Sequence, residues 1–226
     1  MKNIYLILLV ILLQTNCAGP MKITDTPVSF SDERQDLTRE YIENHYGFSV
    51  ENIEISPKII VLHWTAIPTF EKSYKVFNRE KLQGSRPDLA NAGQVNVAIQ
   101  FLVDRDGTVH RLMPENWMAR HCIGINYNSI GVENVGGQKG EDDLTNAQIK
   151  SNIKLVKYLL EKYPDIEYLI GHHEYRHFEG HVLWREMDPN YRTEKIDPGD
   201  RFMTAVRQGV GNSRLKGVAE ILAEKK

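Results

Sequence analysis

Cysteine is nearly absent: Cys17 and Cys122 are the only two in 226 residues. A scaffold stapled by several disulfides is therefore excluded, and a chain of this length has to rest on a hydrophobic core. An excess of charge is missing too. With 28 Lys+Arg against 30 Asp+Glu and a formal charge of −2, nothing draws the chain as a whole to nucleic acid or anionic lipid, and no basic patch does so locally. Internal repeats and low-complexity tracts are lacking. The longest apolar run, Ile4 to Leu13, is too short to cross a hydrocarbon layer of roughly 30 Å at about 1.5 Å per helical residue.

That run nevertheless has a use. Lys2 precedes it and polar Gln14-Thr15-Asn16 follow, the pattern of an export signal over residues 1–16; the alternative is a buried N-terminal core helix. Cys17 comes next, and the junction resembles a bacterial lipoprotein lipobox, although Gln14 and Asn16 depart from its usual residues. The resemblance implies a protein of the bacterial cell envelope, held to a membrane through lipidated Cys17. Pro-, Thr- and Ser-containing residues up to 30 have no apolar period and suit a tether, so residues 17–30 are expected to be anchor and linker and residues 31–226 the folded body. Cys122 then reads as a small buried side chain.

Within the body, Leu37, Tyr41 and Tyr46 fall near one helical face between Ser31 and the stop at Gly47. Ile59-Ile60-Val61-Leu62, running into His63-Trp64-Thr65, reads as a buried strand. Val97 to Val103, the Asp-Gly turn at 106–107 and Val109 to Met113 read as a hairpin. Ile130 to Val135 is another strand. Thr145 and Gln148 form a capping-box pattern ahead of Ile149, Ile153, Val156, Leu160 and Tyr163, a helix stopped by Pro164. Tyr168 to Gly171 is a short strand; 173–197 is polar and aromatic without a period and reads as a loop. Helices are expected over 201–208 and 215–222. Strands interleaved with long helices predict a single α/β domain with a central mixed β-sheet flanked by helices.

His63, Glu133 and His172 each stand at the downstream end of a separate predicted strand. Ligand sites of open α/β sheets gather at those ends, so the three side chains can share one rim. In an extended Thr193-Glu194-Lys195-Ile196-Asp197 segment, Lys195 and Asp197 point the same way and Ile196 the other; alone, this pair reads equally as a solvated one before the Pro198-Gly199 turn. Two His and one carboxylate make a catalytic zinc set with a coordination position left for water, and imidazole with carboxylate suits Zn²⁺ in a chain without a usable Cys pair.

Val61-Leu62-His63-Trp64-Thr65, Val97 to Gly107, Ser129 to Glu133, Ile170-Gly171-His172 and Lys195 to Gly199 resemble, in order, the motifs of the type-2 N-acetylmuramoyl-L-alanine amidases, whose fold the peptidoglycan recognition proteins share. The likeness covers roughly residues 57–208. It implies Zn²⁺ on His63, His172 and Asp197, Glu133 as the group acting on water at the metal, and Lys195 beside the developing oxyanion. It also implies His121 and Trp64 as substrate contacts. The bond implied is the amide between N-acetylmuramic acid and L-alanine, in peptidoglycan or soluble muropeptides; the charge balance gives no expectation of a nucleic-acid partner, and no protein partner is evident. Gln100 and Ile99 stand where many relatives have His and Tyr. The long 173–194 segment, with Tyr175, Phe178, Trp184 and Tyr191, reads either as a groove wall or as a hydrophobic plug.

Two readings compete. His173-Glu174-Tyr175-Arg176-His177 matches H-E-x-x-H, the signature of a zinc metallopeptidase when it lies on a helix. A non-catalytic peptidoglycan-binding module is the other, against which the intact His63, His172, Asp197 and Glu133 positions weigh.

Overall fold

The computed structural model describes residues 21–83, 89, 92–211 and 214–225. The export signal and Cys17 lie outside the described residues. The frame is a mixed six-stranded sheet flanked by helices. Its strands are β1 (Ile23–Asp25), β2 (Ile59–Trp64), β3 (Phe101–Val103), β4 (Val109–Arg111), β5 (Ser129–Asn134) and β6 (Tyr168–Gly171), in the spatial order β1-β4-β3-β5-β2-β6. β3, β5, β2 and β6 run parallel; the hairpin turns β4 antiparallel to β3, and β1 follows β4 in parallel.

β2 sits between two neighbours, and all six of its residues are buried. Its β-branched and aliphatic side chains alternate between two cores: Ile59 and Val61 join one cluster, Ile60, Leu62 and Trp64 the other. Each such burial is worth about 1.5–3 kcal/mol, which fixes the register that places His63. The second cluster lies under α3 (Asn146–Lys162) and α4 (Asp200–Val210), which pack on each other. The capping box of Thr145 and Gln148 starts α3 as expected. On the other face, α1 (Asp32–Tyr46) buries Tyr41, Ile42 and Tyr46. Ser31 caps its first turn, and Gly47 ends it at φ 74°, a left-handed position that favours glycine. α5 (Val218–Ala223) closes the chain.

Three expectations are corrected. The segment read as tether is part of the domain from residue 21 onward: β1 pairs with β4, Thr26 N and Val28 N donate to Arg111 O and Leu112 O, and Val28 is buried. Its three-residue strand borrows stability from a neighbour and has no period of its own. The strand expected over 97–103 shrinks to β3, because the Gln100 side chain takes the place of a ladder partner. Its amide oxygen accepts Gly131 N at 2.8 Å and its nitrogen donates to Trp117 O at 2.8 Å. Finally, α2 (Phe70–Phe77), capped by Thr69, lies where no helix was expected.

The 173–194 segment is in large part a plug and in part a wall, since Tyr191 and Thr193 also line the cleft beside His63. Tyr175, Phe178 and Tyr191 are buried with the α1-side cluster, and Glu186 ties the segment to α1 through His45 at 2.8 Å.

Candidate active site

The parallel strands carry their downstream ends to one rim. In the β2–β5 register His63 is paired with Glu133, and Gly171, the last residue of β6, is level with Leu62, so His172 arrives beside His63. The chain returns at 193–197, where Lys195 and Asp197 line the cleft and Ile196 is 64% exposed. The alternation expected of that segment is present.

Three donor atoms converge. Nδ1 of His63 lies 2.9 Å from Nδ1 of His172 and 3.3 Å from Oδ2 of Asp197; His172 Nδ1 is 3.2 Å from the same oxygen. All three residues are buried, and their donor atoms make the one group among the described residues that could hold a metal ion. Burial pushes the Asp197 carboxyl up, but the charge and hydrogen bonds of His172, and those of His63, outweigh it and hold it well below the usual carboxylate range. Burial lowers His172 to about 4, against the pull of Asp197. At neutral pH the trio therefore offers an anionic oxygen beside an uncharged His172 imidazole, a donor chemistry suited to a divalent cation of the zinc type.

Glu133 faces the same cleft, and its Oε2 is buried with no hydrogen-bond partner. Burial raises its carboxyl well above the ordinary value; the Asp197 charge adds to the rise and the Lys195 charge opposes it. The cleft, of about 280 Å³, continues over Val76, Phe77, Val97, Ala98 and Ile123. Arg120 builds one wall, donating to the carbonyls of Leu89, Gly93 and Val95 and to the Tyr191 hydroxyl.

The two expected substrate contacts, His121 and Trp64, both line this cleft, and both are also held by partners within the protein. Both ring nitrogens of His121 are engaged within the protein: Nδ1 lies 3.1 Å from His63 Nε2 and Nε2 lies 3.2 Å from Ser129 Oγ. Trp64 borders the cleft but is only 8% exposed. It packs with Leu62 and Leu144, its ring so close to Gly137 that a Cβ there would come within 2.2 Å.

The H-E-x-x-H stretch forms a 3₁₀ helix, His172–Phe178, not an α-helix. Glu174 is spent on Arg207 and on Gly171 N, and His173 on the Asp197 carbonyl. Sequence reading missed the supporting residues: Asn126, which accepts His121 N and Cys122 N, and the chain from Asn152 through Asn134 to the His63 carbonyl. Ser129 and Gly131 were findable, since they alternate with Glu133 on one face of β5.

Fold and site together define an α/β domain with a candidate metal centre at the carboxyl rim of its parallel strands. The family model described as N-acetylmuramoyl-L-alanine amidase matches residues 54–200, and the chain belongs to that family. It is 42% identical over 86 residues to the endolysin of Escherichia phage T7, an alignment that covers 36% of this chain; the chain spans only 56% of that relative's length. Among solved structures, the N-acetylmuramoyl-L-alanine amidase endolysin LysCS of Clostridium intestinale shares the fold. The TM-score is 0.52 at 19% identity, over 85% of this chain and 97% of that one. Peptidoglycan recognition protein LE, solved in complex with tracheal cytotoxin, shares it as well, with a TM-score of 0.50 at 16% identity over 74% of this chain and 87% of that one.

Proposed function

We propose that the protein is a zinc-dependent amidase that hydrolyses the bond between the lactyl group of N-acetylmuramic acid and L-alanine in peptidoglycan or muropeptides. The observation that carries this reading is the convergence of His63 Nδ1, His172 Nδ1 and Asp197 Oδ2 beside the unpartnered Oε2 of Glu133. Three lone-pair donors with an orphaned carboxylate oxygen at hand fit a divalent cation better than they fit one another.

His63, His172 and Asp197 would hold the ion. Bound there, zinc supplies Lewis-acid polarisation of the amide carbonyl and lowers the pKa of water from 15.7 to about 7. Glu133 is the base: its buried Oε2, unpartnered and in the cleft, is available to take a proton from the attacking water and deliver it to the departing alanine nitrogen. Lys195 brings a positive charge to the rim where the carbonyl oxygen becomes an oxyanion. An intact donor set and base favour turnover over mere binding. The Lys2 to Cys17 pattern adds a location, the bacterial envelope, with lipidated Cys17 as anchor.

Mass spectrometry of purified peptidoglycan and soluble muropeptides after digestion by the zinc-loaded protein tests the assignment. Free lactyl-terminated sugars together with stem peptides beginning at L-alanine are the expected products. Cleavage inside the stem peptide, or none, would refute it.

A further inference from the structure

Ser129 has one hydroxyl proton, and the Ile125 carbonyl oxygen at 2.8 Å can only accept it. The same hydroxyl oxygen is 3.2 Å from His121 Nε2, so toward that ring it accepts, and the proton of a neutral His121 sits on Nε2. Nδ1 of His121 is then a lone pair. It faces His63 Nε2 at 3.1 Å, and His63 must donate there. The proton of His63 is thereby held on Nε2, leaving Nδ1 bare, and Nδ1 is the atom turned toward His172 and Asp197.

We infer that Ser129 and His121 are positioning residues that form a relay fixing the tautomer and ring direction of His63, so that its Nδ1 is presented to the metal. The inference deepens the zinc-site reading and rests on it for the identity of the ion. A histidine that ligates through one nitrogen is set by the hydrogen bond of the other. What is unusual in this chain is that the partner is a second imidazole, itself anchored on a hydroxyl whose only proton is committed to a backbone carbonyl.

The backbone is shaped around this relay. On β5, Ser129, Gly131 and Glu133 share a face, and the His121 ring lies over Gly131: a Cβ there would come within 2.8 Å of His121 Cγ and 2.3 Å of Ile99 Cδ1. The turn carrying His121 is pinned by Asn126 Oδ1, which accepts His121 N at 2.8 Å and Cys122 N at 2.6 Å. The His63 carbonyl is held by Asn134 Nδ2 at 3.0 Å. Ring and backbone of His63 are therefore each fixed by their own partners.

The test uses the metal-free full chain labelled with ¹⁵N-histidine, long-range ¹H–¹⁵N correlation to read the tautomer of His63, and zinc affinity by competition with a chelating dye. Wild type is expected to show the His63 proton on Nε2. Ser129→Ala should mix the two tautomers and weaken zinc by about 10–100-fold, and Ser129→Thr, which keeps the hydroxyl, should restore both. His121→Phe should weaken zinc similarly; if that variant does not fold, the Ser129 pair decides. A wild-type His63 protonated on Nδ1, or zinc affinity unchanged in Ser129→Ala, would overturn the relay. Both readouts are independent of substrate: a wild type that binds zinc with the expected tautomer but cleaves no muropeptide supports the relay and ends only the amidase reading.

Discussion

The carbonyl oxygen of Asp197 receives two hydrogen bonds from one residue, His173: from its backbone nitrogen at 2.9 Å and from its ring Nδ1 at 2.8 Å. The first histidine of the H-E-x-x-H stretch therefore holds the carboxylate residue of the donor set and is not itself part of that set. His173→Ala removes the ring bond and keeps the backbone one, so it should cost about 1 kcal/mol of stability and weaken zinc binding while leaving it measurable. His177→Ala should stay within about 0.5 kcal/mol of wild type with zinc affinity unchanged. Calorimetry with a zinc titration of both variants checks this. Loss of the metal in His177→Ala would revive the metallopeptidase reading.

His63→Ala tests the centre itself. It removes one of three mutually contacting donors, so stoichiometric zinc and amide hydrolysis should vanish together, while circular dichroism remains that of the wild type. Full hydrolysis by His63→Ala would end the assignment.

Glu133→Gln separates chemistry from metal binding. Zinc should remain bound, and turnover should fall by about 10²–10⁴-fold, the usual contribution of a positioned base. The same variant gives a pH signature in the metal-free protein. Burial, and after it the Asp197 charge, raise the Glu133 carboxyl well above 4.5 against the opposing Lys195 charge. The native state therefore binds this proton more tightly than the unfolded chain does. Its contribution to stability is complete below pH 4.5 and is lost as pH rises through the raised value. Asp197 works in the opposite sense, but its loss comes as pH falls below about 3.8, outside that window. Between pH 5 and 8 the melting temperature of the metal-free wild type should fall relative to Glu133→Gln. A difference between the two that is independent of pH would show that Glu133 is not raised.

Much of this framework is legible in the sequence, for local reasons. β2 shows itself as a β-branched run buried on both faces, α3 by its capping box and apolar period, and β6 by its short apolar stretch between Pro164 and His172. The nearness of His63, Glu133 and His172 follows from one rule, that parallel strands bring their carboxyl ends to one edge. What stays hidden depends on contacts between chain-distant groups. β1 has no pattern until β4 lies beside it, and β3 is shortened by a side-chain clip from Gln100 that no period encodes. His121 could be assigned to the site but not to its place there, because its two partners, His63 and Ser129, become neighbours only when β2 and β5 pair.

The envelope reading has its own test. If Cys17 carries the lipid, Cys17→Ser should move the protein from the membrane fraction to the soluble one, with hydrolysis of soluble muropeptides unchanged, because His63, His172 and Asp197 all lie in the body of the chain, far along the sequence from Cys17. Fractionation of cells expressing each form measures this. An unchanged membrane fraction would count against lipidation.

Trp64 separates packing from recognition. Its ring fills the space above Gly137, which adopts φ 75° and has no room for a side chain, and it shares a cluster with Leu62 at the end of β2. Shrinking the ring should therefore act through the fold: Trp64→Phe is expected to cost about 0.5–3 kcal/mol and to leave KM for muropeptides unchanged. Gly137→Ala, which drives a methyl into the same ring from a left-handed backbone position, should destabilise at least as much. Unfolding in urea alongside steady-state kinetics distinguishes the roles. A raised KM at intact stability in Trp64→Phe would make the indole a substrate contact, whereas lost stability at constant KM assigns it to the wall that keeps β2, and with it His63, in register with β5.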